Sequence, residues 1–153
     1  MTPEQHRQLL AQCGIPAALE AVGERWSFLI LRGAFNGLRH FEEFQSTLGI
    51  ARNILSNRLG RLVEHGILDR ESDPADRRRI AYSLTDKGRD LLPVLIALRQ
   101  WGDRWVFGTP GNPVLVDRAS RRPVEPVCVR SAEGRPLALH ELEWVDRSEL
   151  GER

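Results

Sequence analysis

Two apolar stripes of helical period stand one short turn apart in this chain, and no other feature constrains its fold as tightly. Phe41, Phe44 and Leu48 repeat at three and four residues over FEEFQSTL, and Leu55, Leu59 and Leu62 lie at i, i+4 and i+7 over ARNILSNRLGRLVEHG. Gly49 stops the first helix and Gly66 the second. Each stripe turns one helix face toward the domain. Ahead of them, residues 17 to 35 read as helix broken near Val22-Gly23, with Trp26, Leu29, Ile30 and Phe35 on the core side and Gly37 at the end.

After Gly66 the period changes. Ile67-Leu68-Asp69-Arg70-Glu71 and Ile80-Ala81-Tyr82-Ser83-Leu84 are short and rich in strand formers, and DPADRRR joins them as a hairpin tip. Thr85 and Asp86 then cap a further helix, whose Leu91, Leu92, Leu95, Leu98, Trp101 and Trp105 form a broad apolar side. Pro93 fits the second turn of that helix poorly and is expected to bend it. So large an apolar side needs a partner surface, which predicts a homodimer joined through Leu95, Leu98, Trp101 and Trp105.

The order of helices, turn, helix, hairpin and helix predicts a mainly α (α+β) chain. Its expected fold is a winged helix-turn-helix with a C-terminal dimerisation helix and a short β-rich tail. The expected boundary is Gly108-Thr109-Pro110-Gly111-Asn112-Pro113, where glycines and prolines interrupt any regular element. Residues 1–107 form the DNA-binding and dimerisation domain on this reading, and 108–153 a linker and small extension. In the extension, apolar pairs at Val114 and Val116, Val127 and Val129, and Leu137 and Leu139 predict two or three short strands.

A net charge of +1 argues for no nucleic-acid partner by itself, so the argument rests on where the charges sit. The helix that follows Gly49 carries Arg52, Asn53, Ser56, Asn57 and Gly60 opposite its leucines, with Arg61 at the edge and no acid from Arg52 to Arg61. Arg, Asn and Ser are side chains that hydrogen-bond base edges or phosphates, which suits a helix set into a major groove. Arg77, Arg78 and Arg79 fall at the hairpin tip, where a wing meets a flanking minor groove or backbone phosphates, and Arg39 and His40, which precede the turn helix, are candidates for a phosphate contact. Asp73 and Asp76, close by in the loop, could mask part of that charge. A solvated helix face and a solubilising turn are the plainer readings of both groups. The expected partner is a double-stranded DNA operator, with a small-molecule effector left open. A winged helix that docks protein instead of DNA is the alternative.

Other classes find little support. The histidines His6, His40, His65 and His140 and the two cysteines form no nucleophile-and-base arrangement, and no glycine-rich phosphate loop is present, so no enzyme is expected. No apolar run is long enough to cross a bilayer and no signal-peptide pattern opens the chain, which predicts a cytoplasmic protein with no membrane partner. Cys13 and Cys128 suggest neither a disulfide framework nor a metal site, and no cofactor is expected.

With those residues placed, the chain resembles the HxlR family of bacterial winged-helix regulators, relatives of the MarR type. The matching pieces are Cys13, Gly23-Glu24-Arg25-Trp26 with the FLIL run, Arg39-His40-Phe41-Glu42-Glu43-Phe44, Gly49-Ile50, Leu55-Ser56-Asn57-Arg58-Leu59, His65-Gly66-Ile67-Leu68, Tyr82-Ser83-Leu84-Thr85-Asp86-Lys87-Gly88 and the stretch from Leu98 to Trp101, covering roughly residues 13 to 105. The resemblance implies a homodimeric transcriptional regulator acting on a short inverted repeat. Cys13 is the candidate redox sensor it suggests. The sequence shows no adjacent Lys, Arg or His to lower that thiol's pKa, so a buried, inert thiol is expected. Gly14 follows that cysteine where relatives place proline, and Ala51 stands at a helix start where Ser is common. The tail keeps only Cys128 and His140 of the paired ligands that some relatives place in a metal-binding ribbon.

Overall fold

A computed structural model describes residues 2–11 and 13–150. The chain forms two compact units, one ending at Leu95 and the other starting at Ile96. The division falls inside a helix rather than at the glycine- and proline-rich stretch beyond it.

The first unit begins with α1 (Pro3–Ala11), α2 (Gly14–Val22) and α3 (Arg25–Phe35). Cys13 caps α2, its Sγ accepting from the Ile15 N–H at 3.5 Å, and the side chain is half-buried rather than buried as expected. The buried face of α3 centres on Ser27, Ile30 and Leu31, with Trp26, Leu29 and Phe35 half-buried beside it. Next come α4 (Phe41–Leu48) and α5 (Arg52–Glu64), joined through Gly49, whose φ of 61° is left-handed and ends α4. Phe44, Leu55, Leu59 and Leu62 are fully buried, so both predicted stripes face one core. Gly33 lets α3 and α4 approach: a Cβ there would lie 3.1 Å from the Phe44 ring and 2.9 Å from Leu38.

β1 (Leu68–Ser72) and β2 (Ile80–Leu84) pair antiparallel, Leu68 opposite Leu84 and Ser72 opposite Ile80. A single antiparallel bridge from His40 to Ala81, with the Tyr82 N–H donating to the Arg39 carbonyl at 2.7 Å, adds the chain before α4 to the edge of this hairpin. The start of α4 is thereby fixed to the loop-proximal half of the hairpin. Thr85 closes the other side, its hydroxyl donating to the Gly66 carbonyl at 2.6 Å and accepting from Gly88 N–H at 3.0 Å.

The single helix expected after Thr85 is two. α6 (Asp86–Arg89) ends at Asp90 and α7 (Leu92–Gly102) starts anew, which puts Pro93 in a first turn, where its missing N–H costs nothing. A turn of π-helix, Asp103–Phe107, extends α7 to Gly108. No helix among the described residues is long and apolar enough to cross a membrane.

In the second unit the tail's apolar pairs do not build ladders. Two turns are each closed by one bridge, Val116 to Pro123 and Arg130 to Pro136. Pro123, Pro126 and Pro136 have no N–H to donate, so each pairing stops after a residue or two. Side chains hold the turns instead: Asp117 accepts from Ala119 N–H and the Ser120 hydroxyl at 2.8 and 2.9 Å.

Candidate nucleic-acid interface

The burial of Leu55, Leu59 and Leu62 dictates what α5 shows to solvent. Arg52, Asn53, Ser56, Asn57 and Gly60 are exposed together on the opposite face. Gly60 adds no side chain to it, and a Cβ there would meet open space. Arg52 stacks on α4, its guanidinium 4.9 Å from the centre of the Phe41 ring, which ties the start of α5 to the helix before it while leaving the donors exposed.

Arg61 does not join this face. Its guanidinium donates to the Glu20 carbonyl at 3.2 Å and lies 3.9 Å from a Glu24 oxygen. Arg58 pairs with the same Glu24 carboxylate, and its side chain is only 20% exposed. The two arginines thus anchor α5 to α2 and to the start of α3. The sequence-predicted edge position of Arg61 is correct as an angle on the helix, but Glu24, 37 residues away in sequence, draws the side chain inward.

The tip of the hairpin is built by its two aspartates. Asp73 Oδ1 accepts from Ala75 N–H at 2.7 Å, Asp76 Oδ1 accepts from Arg78 N–H at 3.0 Å, and the Asp73 N–H donates to the Arg79 carbonyl at 2.9 Å. One oxygen of each carboxylate is thus taken by a backbone donor. Arg77, Arg78 and Arg79 are exposed and, among the described residues, form no ion pair. Arg39 is exposed beside the same hairpin, where its carbonyl accepts from the Tyr82 N–H of β2.

At the start of the wing loop, His40, read from sequence as a possible phosphate contact, belongs instead to a cluster with two carboxylates. His40, 11% exposed in its side chain, contacts Glu43 through Nδ1 at 3.0 Å and Asp73 through Nε2 at 2.5 Å. The H-x-x-E spacing at the start of a helix was the available signal. Glu43 also accepts from the Arg39 and His40 backbone N–H groups at 2.9 and 3.0 Å, which holds its pKa down to about 2.

No group of three or more His, Cys, Asp or Glu side chains among the described residues is arranged to hold a metal ion. Along α7 and its π-helical extension, Leu98, Trp101 and Trp105 are 50, 59 and 64% exposed, while Leu95 is half-buried. Within the second unit a cavity of about 430 Å³ is lined by Ile96, Val114, Leu115 and Val124 together with Arg99 and Asp103.

Comparison with known proteins adds a family. The sequence model described as HxlR-like helix-turn-helix matches residues 21–109, more than half of the chain. A protein named Uncharacterized HTH-type transcriptional regulator Rv3095, from Mycobacterium tuberculosis, is 48% identical over 97 residues, which are 63% of this chain and 61% of that protein. The chain therefore spans less than two thirds of that relative's length. The HTH-type transcriptional regulator YodB of Bacillus subtilis is 31% identical over 64% of this chain and 87% of its own length. Among solved structures, the crystal structure of PA1607 superposes with a TM-score of 0.82 at 42% identity, covering 92% of this chain and 99% of that one.

Proposed function

The chain belongs to the HxlR-like helix-turn-helix family, and from that premise we propose that it is a sequence-specific DNA-binding transcriptional regulator, acting as a homodimer on a pseudo-palindromic operator. One observation carries the reading. The exposed face of α5 and the exposed wing supply six donor residues, Arg52, Asn53, Asn57, Arg77, Arg78 and Arg79, and among the described residues no carboxylate forms an ion pair with these arginines. A helix face of this kind reads base edges, and a run of unpaired arginines binds phosphate. Arg61 is left out of the contact set because its guanidinium is engaged by the Glu20 carbonyl and the Glu24 carboxylate at the edge of the helix.

Exposed leucine and tryptophan along α7 support the homodimer, in which two α5 helices would meet half-sites about 10 base pairs apart, one helical turn, as two-fold dimers require. The cavity of the second unit has a volume within the range that small-molecule effectors occupy. Such a regulator works in the cytoplasm, where the chromosome is.

The test is a titration of the purified protein into duplexes from the promoters of neighbouring genes and into random duplex, at several salt concentrations. Binding through phosphates falls by roughly 0.9 log units per log unit of salt for each phosphate neutralised, so a steep slope on both duplexes and tighter binding to one promoter are expected. A winged helix that docks protein would show no slope and no preferred promoter, and that result would replace this reading.

A further inference from the structure

Both ring nitrogens of His40 contact a carboxylate. The residue caps α4 and is 9% exposed overall. The two carboxylates on its ring belong to different elements: Glu43 to the first turn of α4, and Asp73 to the first position of the wing loop. A neutral imidazole has one N–H and donates to one acceptor, whereas the imidazolium donates to two. The arrangement with both carboxylates bonded is therefore that of the cation. Asp73 in turn organises the loop, since its other oxygen holds Ala75 N–H and its own N–H reaches the Arg79 carbonyl.

We infer that His40 is the positioning residue of the wing, a proton-operated latch that holds Asp73 and the arginine-bearing loop against the helix-turn-helix and loosens as the imidazolium loses its proton. Its effect on DNA rests on the proposed function, but the latch itself does not.

The charged groups facing the ring are Glu43 on the α4 side, and Asp73 and Arg79 on the wing side. Glu43 and then Asp73 favour the cation through their hydrogen bonds. Partial burial and the Arg79 charge oppose it more weakly, so the pKa of His40 is raised above the usual 6.5. Both carboxylates titrate lower than usual, Asp73 through Ala75 N–H first and His40 second, and they stay charged as the ring titrates. A group whose pKa is raised by folding stabilises the folded arrangement fully below its ordinary value and loses that contribution as pH rises through the raised value. The latch is thus closed at mildly acidic pH and opens on the alkaline side of 6.5. Opening also leaves two carboxylates without a counter-cation at the base of a phosphate-binding loop, which weakens DNA contact further.

The experiment is an NMR titration of the full chain from about pH 6 to about pH 9, a window that brackets histidine. It follows the His40 ring and the heteronuclear NOE of the Ala75 and Arg78 amides, with a parallel titration into random duplex at fixed salt. The expected result is a His40 midpoint above 6.5, loss of wing order with the same midpoint, and a fall of about tenfold in duplex affinity, the scale of one charge-assisted bond. In His40→Gln both pH dependences should vanish. Asp73→Asn keeps an oxygen for Ala75 but removes the charge, and should lower the His40 midpoint. A midpoint at or below 6.5, a wing whose order ignores the His40 titration, or an Asp73→Asn midpoint that stays put would overturn the latch. Wing loosening at the His40 midpoint in a protein that binds no duplex at any pH would support the latch and overturn the proposed function instead.

Discussion

At the scale of residues, the two donor sets differ in kind, and their variants should differ too. Asn57 sits on the exposed centre of α5, where an amide can bond a base edge in two places, an interaction worth about 1 to 3 kcal/mol of discrimination. Arg78 belongs to a homogeneous run at a loop tip, and such contacts position the protein without specifying sequence. Asn57→Ala should therefore weaken operator binding more than random-duplex binding and lower the ratio of the two. Arg78→Ala should weaken both by similar factors and shallow the salt slope by roughly one unit for a lost phosphate contact. Titrating both duplexes at several salt concentrations reads both effects, and an Arg78→Ala protein with an unchanged slope and only its operator affinity reduced would give the wing a role in sequence reading. At this scale the sequence is most legible where a side chain's fate follows from its own helix, as with Asn53 and Asn57. It is least legible where a distant carboxylate decides. Arg61 looks free until Glu24 is folded beside it, and Asp73 and Asp76 look like partners for the arginines until they are found bonded to backbone N–H groups.

Elements obey the sequence more closely because their period and stops are local. FEEFQSTL is α4 as expected, and Gly49 ends it in the left-handed conformation that glycine adopts freely. Two departures have one chemical origin, proline's missing N–H: Pro93 lies in the first turn of α7 instead of bending a longer helix, and the tail prolines reduce expected strands to single bridges. Glycine in mid-helix makes the matching argument for α5. Gly60 lies inside the helix with its Cβ direction open to solvent, so nothing in the fold requires it, although it costs about 1 kcal/mol of helix stability relative to alanine. The requirement falls instead on what approaches that face. Gly60→Ala should raise the urea midpoint of unfolding yet weaken operator binding, because a methyl group stands where the helix would lie against the groove. A variant that is both more stable and an equally tight binder would place the contact further toward the Arg52 end of α5.

Across the whole molecule, the apolar surface is distributed in a way one chain does not satisfy. Leu98, Trp101, Trp105 and Phe107 are 50 to 75% exposed along α7 and its π-helical extension, and soluble monomers rarely leave contiguous apolar patches of that kind open. Burial against a second copy would remove them from water at roughly 25 cal/mol for each Å² covered. A charge placed there would have to enter that interface unpaired, at a cost of several kcal/mol. Leu98→Asp should therefore lower the sedimenting mass from two chains to one while leaving the first unit folded, since the described core of that unit does not include Leu98. Loss of the dimer should also cost the operator most of its advantage over random duplex, because a single α5 reads half of an inverted repeat. The circular dichroism of the variant checks the fold, and sedimentation at several concentrations checks the assembly. Should Leu98→Asp still sediment as a dimer, the interface would move to the exposed apolar set at the N-terminal end, Leu10, Ile15 and Leu19 of α1 and α2, which are 55 to 64% exposed. The same charge introduced as Leu19→Asp would then be the substitution that separates the chains.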